Sequence, residues 1–403
     1  MNIAIFNMYA TLGSTGTIAQ GLQSYLKENG HSTLLIYGRE NKRKDLADCF
    51  HNQSKLEEKL HGVLSSLTGL QGYFSDVGTS RALKKLDAFH PDAVVLINIH
   101  SGYLHEERLW KYLASRRIRT VYIMPDEYAM LGNCCYTYGC EEYKTGCKHC
   151  TNIHGYPNSL FFDVAGKVVE MKKRAYESMG ELLTFVSPKL NIDQAKQSYL
   201  LKDKKLVEAN WGIDTKRYQP VDPAFLREKY GISEETTVLL AVGSFSDERK
   251  GLKKHFLECA KRTTRKDLLF VNVGFDGERE GLPENFLPIP YTKDQNELCA
   301  LFTLADCTVM PSKGETLPLT CLISLSCGTP LCLFDSAGLS SMGEGLHSRL
   351  VKADDTDALL RALEETEHKT QEQQAFCRAY VNEHYLDRKF FETVLLLAKG
   401  ENV

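Results

Sequence analysis

The fold class of this chain is predicted most clearly by the stretch Pro311-Ser312-Lys313-Gly314-Glu315-Thr316-Leu317-Pro318. The apolar run before it, Cys307 to Met310, predicts a strand that stops at the first proline and delivers Glu315 into a short loop. A helix is predicted from the last proline, whose missing N–H is not needed in a first turn, and it ends at Cys327-Gly328-Thr329-Pro330. A strand, a loop and a helix in this order form a site-building unit of doubly wound α/β folds, which hold anions at the helix N-terminus.

Length and composition predict an ordinary globular protein of two or three domains. The chain has 403 residues, of which 43% are hydrophobic and 25% charged. A net charge of −3 gives no argument for nucleic acid as a partner, and no apolar run approaches the ~20 residues that span a bilayer. The N-terminus enters a strand without a charged and then apolar leader. Together with 13 cysteines, this predicts a reducing, cytoplasmic setting with thiols or metal ligands instead of disulfides.

A small-residue loop follows the first predicted strand. The strand covers Ile3 to Phe6, the loop Asn7 to Thr17, and an amphipathic helix Ile18 to Asn29. The run Gly13, Ser14, Thr15, Gly16 then lies at the helix N-terminus, where the backbone can approach a phosphate or a sugar. A tight strand-to-helix turn without a ligand explains the same residues.

Two further predicted strands end in polar residues. One strand, Ala93 to Ile97, leads to His100, and another, Val121 to Met124, ends in Pro125-Asp126. The alternation of strands and helices predicts a parallel sheet with right-handed crossovers, and such sheets bind ligands at the carboxyl ends of their strands. His100 is therefore either a ligand-binding residue or a structural hydrogen-bond donor.

Five cysteines fall within 17 residues: Cys134, Cys135, Cys140, Cys147 and Cys150. The last two form a C-x-x-C pair, and Cys134 and Cys140 offer two further thiolates. Four thiolates suit tetrahedral zinc, although the first pair is spaced more widely than in a standard zinc ribbon. The pattern predicts a structural zinc site, a cluster of thiols without metal, or a zinc site completed by Cys135 or His149.

The alternation restarts after a proline-bearing stretch, 218–223, which predicts the entry to a second domain. A strand from Val238 to Val242 ends in Gly243-Ser244, and the loop continues to Arg249-Lys250 just before a helix. A guanidinium fork, an ammonium group and a helix N-terminus together suit a diphosphate. A solvated charge pair is the other interpretation.

The motifs taken together resemble glycosyltransferase family 4. In the C-terminal half the matching pieces are Pro311-Ser-x-x-Glu315, the spacing onward to Cys327-Gly328-Thr329-Pro330, Arg249-Lys250-Gly251 and Trp211-Gly212-Ile213-Asp214. The N-terminal half is similar to a branch of that family that builds bacterial surface polysaccharides such as capsule, colanic acid and O-antigen. Its matching pieces are the run from Gly13 to Gly16, Tyr37-Gly38-Arg39, the run from Asn98 to Tyr103 and the cysteines from Cys134 to Cys150.

The resemblance implies a GT-B architecture, in which two Rossmann-like, doubly wound α/β domains face a cleft. An N-terminal acceptor-binding domain is expected over residues 1–205, with a cysteine-rich insertion at 134–150. A C-terminal domain that binds the nucleotide sugar is expected over residues 206–384. A helix in residues 385–403 is expected to pack back on the N-terminal domain.

The resemblance also implies retaining transfer of a sugar from a UDP- or GDP-linked donor, without a cofactor for catalysis. Arg249 and Lys250 would neutralise the departing diphosphate, and Glu315 would lie beside the donor sugar. These three are the expected catalytic residues. The expected donor-binding residues are Gly13, Ser14, Thr15, Gly16, Gly243, Ser244, Thr316, Leu317 and Leu319, and the expected acceptor-side residues are His100 and Asp126.

Two positions depart from the family pattern. The second glutamate, expected eight residues after Glu315 to reach the ribose, is Ile323, and the histidine expected before Asp126 is Pro125. Isoleucine cannot hydrogen-bond a ribose, and proline removes a side-chain and a backbone donor. The alternatives are therefore a catalytically impaired module that binds glycan or partners an active glycosyltransferase, and another GT-B enzyme such as a sugar-nucleotide epimerase.

The expected acceptor is a glycan, free or linked to a polyprenyl lipid, in the synthesis of a surface polysaccharide. A lipid-linked acceptor predicts peripheral contact with the inner face of the plasma membrane, for which the basic helix at Lys172 to Arg174 is one candidate. The basic run from Lys42 to Lys44 could contact lipid headgroups or phosphates, or could form a solvated surface.

Overall fold

The computed structural model describes residues 1–39, 46–100, 102–155, 157–343 and 345–403. The basic run from Lys42 to Lys44 therefore lies outside the described residues. The chain divides into two compact units, Met1–Trp211 with Arg388–Val403, and Gly212–Asp387.

The chain passes from one unit to the other after Trp211 and returns after Asp387, instead of after residues 205 and 384. Ile213 pairs with Leu386 in a parallel bridge, and the Ile213 N–H donates to the Tyr385 carbonyl at 2.9 Å. The outgoing and returning segments are thus hydrogen-bonded side by side. A pairing between positions so distant in the chain leaves no local pattern in the sequence.

The first unit is built on a seven-stranded parallel sheet. Its strands are β1 (Asn2–Asn7), β2 (Ser32–Tyr37), β3 (Cys49–His51), β4 (Ala93–Leu96), β5 (Arg119–Ile123), β6 (Leu183–Ser187) and β7 (Lys205–Glu208). Their spatial order is β3-β2-β1-β4-β5-β6-β7. All four residues of β4 and five of the six in β1 are buried, as expected for a parallel sheet with both faces covered.

Six helices connect these strands: α1 (Gly13–Glu28), α2 (Lys55–Thr68), α3 (Asp76–Phe89), α4 (Glu106–Ser115), α5 (Ala165–Met179) and α6 (Lys189–Ala195). Helix α1 begins at Gly13, not at Ile18 as predicted. Gly16 lies so close to Thr11 that an added Cβ would be 2.6 Å from the Thr11 carbonyl carbon, and Thr17 Oγ1 donates to the Gly13 carbonyl at 3.1 Å. The run from Gly13 to Gly16 therefore forms the first helical turn, and at position 16 only glycine fits against the backbone of Thr11.

The second unit is built on a six-stranded parallel sheet. Its strands are β8 (Thr237–Val242), β9 (Leu268–Val273), β10 (Phe286–Ile289), β11 (Cys307–Met310), β12 (Leu331–Asp335) and β13 (Ser348–Lys352), in the spatial order β10-β9-β8-β11-β12-β13. Its helices are α7 (Ala224–Tyr230), α8 (Leu257–Arg262), α9 (Gln295–Leu304), α10 (Leu319–Ser326), α11 (Thr356–Glu364) and α12 (Gln371–His384). A π-helical turn, Leu252–Phe256, leads into α8.

The last helix, α13 (Asp387–Lys399), packs from Arg388 onward on the first unit. The Phe391 ring lies against Gly21 of α1, where an added Cβ would be 2.7 Å from the ring, and Arg388 pairs with Glu28 at 2.6 Å. None of the helices in the described ranges is long and apolar enough to cross a bilayer.

Each sheet has one point at which the strand order reverses. This point lies between β1 and β4 in the first unit and between β8 and β11 in the second. The loops that follow two such strands diverge and leave a crevice at the carboxyl edge, which is where open α/β sheets bind ligands. The run from Gly13 to Gly16 follows β1 and His100 follows β4, whereas Arg249 follows β8 and Glu315 follows β11.

Candidate functional site

Two loops at the reversal point of the second sheet are hydrogen-bonded to each other. The loop after β8 carries Arg249 and Gly251, and the loop after β11 carries Pro311 and Lys313. The Lys313 N–H donates to the Arg249 carbonyl at 2.9 Å. Gly251 has a φ of +68°, and an added Cβ there would lie 2.3 Å from the Pro311 carbonyl oxygen. Glycine is therefore required for the two loops to approach this closely.

Arg249 and Lys250 both bind Glu315. Arg249 Nη1 donates to Glu315 Oε1 at 2.6 Å, and Lys250 Nζ donates to the same oxygen at 2.7 Å. Arg249 also donates to the Gly314 carbonyl at 3.1 Å. Only 17% of each cationic side chain and 10% of the carboxylate side chain are exposed. The structure thus brings together the three residues that were predicted to be catalytic.

Glu315 is held as an anion and fixed through its backbone. Burial alone would raise its pKa, but Lys250 and Arg249 outweigh burial and hold the pKa of Glu315 below its usual value. The Glu315 N–H donates to the Ala337 carbonyl at 2.9 Å. Gly338, with a φ of +75°, lies so near that an added Cβ would be 1.8 Å from the Glu315 carbonyl oxygen. Sequence reasoning missed Gly338, whose only signal was its place just after a buried strand.

Asp276 organises the loop that carries Gly243 and Ser244. Ser244 Oγ donates to Asp276 Oδ2 at 2.5 Å, and the Ser246 N–H donates to Asp276 Oδ1 at 2.9 Å. Burial would raise the pKa of Asp276, but these donors hold it below its usual value. The Gly243 N–H is bonded to the Val273 carbonyl at 2.8 Å. Asp276 was not predicted, although it follows β9, the strand next to β8.

The remaining predicted donor residues of this unit lie before and in α10. The helix begins at Leu319, one residue after the predicted start at Pro318. Thr316, Leu317 and Leu319 are all buried. Ile323, at the position where a second glutamate was expected, is also buried.

The predicted acceptor-side residues, His100 and Asp126, are in contact. His100 Nε2 lies 2.8 Å from Asp126 Oδ2. Asp126 Oδ1 accepts the Tyr128 N–H at 3.0 Å, and the Asn191 side chain donates to the Asp126 carbonyl at 3.3 Å. The Tyr128 ring also packs 4.7 Å from the His100 ring, centroid to centroid. Two hydrogen bonds to Asp126 and one ring contact to His100 therefore hold the pair in place at the carboxyl edge of β4 and β5.

Cys135 completes a group of three metal-capable side chains. Its Sγ lies 3.6 Å from His100 Nε2, and the three ligand atoms of His100, Asp126 and Cys135 lie within 4.8 Å of one another. Nitrogen, oxygen and sulfur donors of this kind suit zinc. Burial, however, raises the pKa of the Cys135 thiol well above its usual value, so the thiolate that a metal needs is disfavoured. The histidine and the carboxylate, meanwhile, already satisfy each other.

Lys172 of α5 lies beside this group and is fully buried. Its Nζ donates to the carbonyls of Tyr128, Leu131 and Gly132 at 2.6, 2.9 and 3.2 Å. It also lies 3.3 Å from the centre of the Tyr128 ring. Burial lowers the pKa of Lys172 to about 8. Lys172 is therefore not available to a membrane, because it secures the segment that leads from Asp126 to the cysteines. Arg174 of the same basic stretch is exposed, so membrane contact of this helix stays a prediction.

Substituting methionine for Lys172 should destabilise the first unit. Lys172→Met would leave three buried carbonyls without their donor, which is expected to lower the free energy of unfolding by about 3 kcal/mol. Lys167→Met, on an exposed position of the same helix, is expected to change it by less than about 0.5 kcal/mol. Denaturant unfolding of both variants checks this. Equal stability of the two would mean that the ammonium group does not secure the segment.

The four predicted zinc ligands are neighbours, but they are not gathered around one point. Burial, followed by the influence of Cys147 and Cys150, raises the pKa of Cys134 to about 12. Cys147 is buried and Cys140 is exposed. Within the described ranges, no three of these four sulfur atoms lie within 4.8 Å of one another. Zinc binding would therefore require side-chain rotation, and it stays a prediction. All thirteen cysteines carry free thiols.

Metal analysis tests the zinc prediction. Protein purified without chelator should contain about one zinc ion per chain if the four thiols form a site. Cys147→Ser with Cys150→Ser should then abolish the zinc, whereas Cys135→Ser should retain it. If the protein contains no zinc and still unfolds cooperatively, the prediction of a structural zinc site is wrong.

Parts of the chain are similar to known glycosyltransferases. Residues 236–367 match the family model described as Glycosyl transferases group 1. Over 82 residues the chain is 32% identical to the putative colanic acid biosynthesis glycosyl transferase WcaC of Escherichia coli (strain K12). This match covers 20% of each of the two proteins. The matches to this and two further curated relatives span between 20% and 43% of the relatives' own length.

Solved structures resemble the chain over its full length. WaaG, a glycosyltransferase involved in lipopolysaccharide biosynthesis, matches with a TM-score of 0.69 and 16% identity over 99% of this chain and 100% of its own. HepE of Anabaena, solved in complex with UDP-glucose, matches with a TM-score of 0.65 and 13% identity over 99% of each chain. At such low sequence identity, the structural similarity is informative about the fold alone. It confirms the predicted GT-B fold with its two doubly wound sheets.

Proposed function

We propose that the protein is a retaining glycosyltransferase, since residues 236–367 match the family model described as Glycosyl transferases group 1. It moves a sugar from a nucleotide-diphosphate sugar to a glycan or a lipid-linked glycan in the synthesis of a bacterial surface polysaccharide. The observation that supports this most strongly is the contact of Arg249 and Lys250 with Glu315 at a sheet reversal point.

The two cations suit a diphosphate. Arg249 and Lys250 share a single oxygen of the Glu315 carboxylate, which holds both cations in place. Charges that are fixed in advance and shielded from water stabilise a developing negative charge more strongly than mobile ones. In the proposed complex the cations bind the diphosphate oxygens, and Glu315 turns toward the hydroxyl groups of the donor sugar.

The proposed reaction exchanges one glycosidic bond for another. The bond between the anomeric carbon and the diphosphate oxygen breaks, and the nucleoside diphosphate leaves with the bonding electrons. The acceptor oxygen bonds to the same face of the anomeric carbon, and its proton passes to the departing diphosphate. Arg249 and Lys250 stabilise the negative charge on the leaving group, and Glu315 stabilises the positive charge near the anomeric carbon.

The donor and the acceptor are also proposals. HepE was solved with UDP-glucose, which makes UDP-sugars the first donors to test, followed by GDP-sugars. Helix α1 offers the first-turn backbone of Gly13, Ser14, Thr15 and Gly16 to the donor phosphate, as a helix N-terminus attracts anions. The His100–Asp126 pair is proposed to bind an acceptor hydroxyl. A lipid-linked acceptor would place the reaction at the inner face of the plasma membrane.

Ile323 favours a second candidate, a GT-B module that binds glycan or a partner enzyme without transferring sugar. The side chain is buried and apolar on α10, so it offers a ribose no hydrogen bond. Pro125, before Asp126, removes a further donor. Both changes weaken ligand contacts without disturbing the Arg249–Lys250–Glu315 contact.

Thermal melting with a panel of UDP- and GDP-sugars, and with UDP and GDP alone, tests the proposal. A nucleotide at about a hundred times its Kd should stabilise the folded chain by about 2.7 kcal/mol, because it binds only the folded state. If none of these compounds changes the melting temperature, the chain is not a nucleotide-sugar enzyme and the glycan-binding module is favoured. Interconversion of a donor without any acceptor would indicate an epimerase instead.

A further inference from the structure

Helix α2 of the first unit packs with its apolar side facing the solvent. Leu56, Leu60, Val63 and Leu67 recur at helical spacing, so they form one stripe along the helix. Their side chains are between 40% and 78% exposed. The only buried residues of the helix are His61 and Ser65. This reverses the usual arrangement, in which the apolar side of a helix faces the core.

Polar contacts hold the inner side of α2 in place. His61 Nδ1 lies 2.6 Å from Ser75 Oγ. Glu57 pairs with Arg81 at 3.0 Å, and Glu58 pairs with Arg39 at 3.1 Å. The outward position of the stripe is therefore fixed by specific bonds on the opposite side.

A loop extends this apolar surface beyond the C-terminal end of the helix. The Leu160 N–H donates to the Ser66 carbonyl at 2.8 Å, which anchors the loop next to Leu67. Leu160, Phe161 and Phe162 are 45%, 67% and 58% exposed. We call the stripe and this loop together the α2 surface. Contiguous exposed apolar surface of this kind in a folded protein marks a docking site.

The charges around the α2 surface identify what docks there. Lys55 and Lys59 are exposed on α2 and form no ion pair with any residue in the described ranges, whereas both glutamates of the helix are paired with arginines on its inner side. Asp163, the acidic neighbour of the loop, is engaged by the N–H groups of Cys150 and Ala165. Apolar side chains flanked by free lysines match an anionic lipid surface, where the chains insert and the lysines reach the headgroups.

We propose that the α2 surface docks on an anionic lipid bilayer, with the four aliphatic side chains and the two phenylalanines entering the interface. Aromatic and aliphatic side chains on an amphipathic helix bind a membrane by burying apolar area at the boundary between headgroups and acyl chains. The free lysines make this binding depend on anionic lipid. The inference needs no catalytic activity, so vesicle binding and nucleotide binding can succeed or fail separately.

Co-sedimentation with vesicles tests the proposal on the full chain. The wild-type protein should bind vesicles of phosphatidylcholine mixed with phosphatidylglycerol and should bind pure phosphatidylcholine vesicles much less. Leu60→Ser with Phe161→Ser should lower the partition coefficient by about tenfold or more. Lys55→Gln and Lys59→Gln should each lower it by about fivefold on the mixed vesicles only. The matched control, Phe225→Ser with Tyr291→Ser, removes exposed aromatic rings from the second unit and should bind like the wild type.

Two results would overturn the proposal. One is equal vesicle binding by the Leu60–Phe161 variant and its control, with melting temperatures showing that both variants are folded. The other is a concentration-dependent dimer in light scattering that the Leu60–Phe161 variant abolishes, because the α2 surface would then be covered by a second copy of the chain. Loss of vesicle binding with unchanged nucleotide binding supports the membrane assignment alone.

Discussion

Glu315→Gln is expected to lower the turnover of the transferase by about a hundredfold or more while the protein stays folded. The amide keeps the shape of the side chain but removes the negative charge that would face the donor sugar, and lost electrostatic stabilisation of this kind typically reduces kcat by ~10²–10³. Steady-state kinetics with a donor identified by thermal melting measures the effect.

Nucleotide binding should respond in the opposite direction. Glu315 accepts hydrogen bonds from both Arg249 and Lys250, so in the proposed complex it would compete with the diphosphate for them. Removing its charge frees the cations, and UDP or GDP should bind the variant at least as tightly as the wild type. A fall in kcat with retained nucleotide binding is the pattern of a residue that acts in the transition state.

The matched control is Glu297→Gln. Glu297 also pairs with a lysine, Lys229, at 2.8 Å, and it is 19% exposed, but it lies on α9 and not on the loops that follow β8 and β11. The Glu297→Gln substitution should leave kcat unchanged. A large drop in the melting temperature of Glu315→Gln alone would make Glu315 a structural residue, and an unchanged kcat would remove it from catalysis.

The parts of the fold that follow local patterns could be predicted from the sequence. Apolar runs such as Cys307 to Met310 and Val238 to Val242 are strands in the structure because a parallel sheet buries them on both faces. The alternation of strands and helices also placed Arg249 and Glu315 at strand ends. Both residues lie there because the carboxyl ends of neighbouring parallel strands share one edge of the sheet.

The rest depends on contacts between distant positions. Asp276 and Gly338 support the loops of the site, but they are recognisable only when β9 and β12 are placed beside the strands that carry Ser244 and Glu315. Lys172 belongs to a basic helical stretch that was predicted as a candidate for membrane contact, yet three carbonyls hold this lysine inside the unit. Periodicity shows that a helix has a polar and an apolar side, but not which of the two faces the core.

The rigidity of Glu315 comes from its backbone as much as from its cations. The Glu315 N–H is bonded to the Ala337 carbonyl. Gly338, which follows Ala337, lies directly against the Glu315 carbonyl. A side chain that must meet both a sugar and a changing charge benefits from a backbone that does not move. Position 338 is therefore where stability and turnover should be coupled most closely.

Gly338→Ala is expected to lower the free energy of unfolding by more than about 3 kcal/mol and to reduce turnover with it. A left-handed φ costs a non-glycine residue roughly 1–2 kcal/mol. The remainder arises because the new methyl group would start 1.8 Å from the Glu315 carbonyl oxygen and 2.9 Å from that of Thr316. Both contacts are to backbone, so relief requires moving the loop that holds the carboxylate.

Gly281→Ala separates the two contributions. Gly281 has nearly the same φ, +76°, but no atom lies within 4 Å of an added Cβ, so this variant should lose only the roughly 1–2 kcal/mol due to φ and should keep its turnover. Denaturant unfolding and kinetics on both variants measure the difference. If the two variants lose equal stability, the close approach of Gly338 does not hold the loop. If Gly338→Ala loses stability but keeps full turnover, the position of the Glu315 backbone does not control the chemistry.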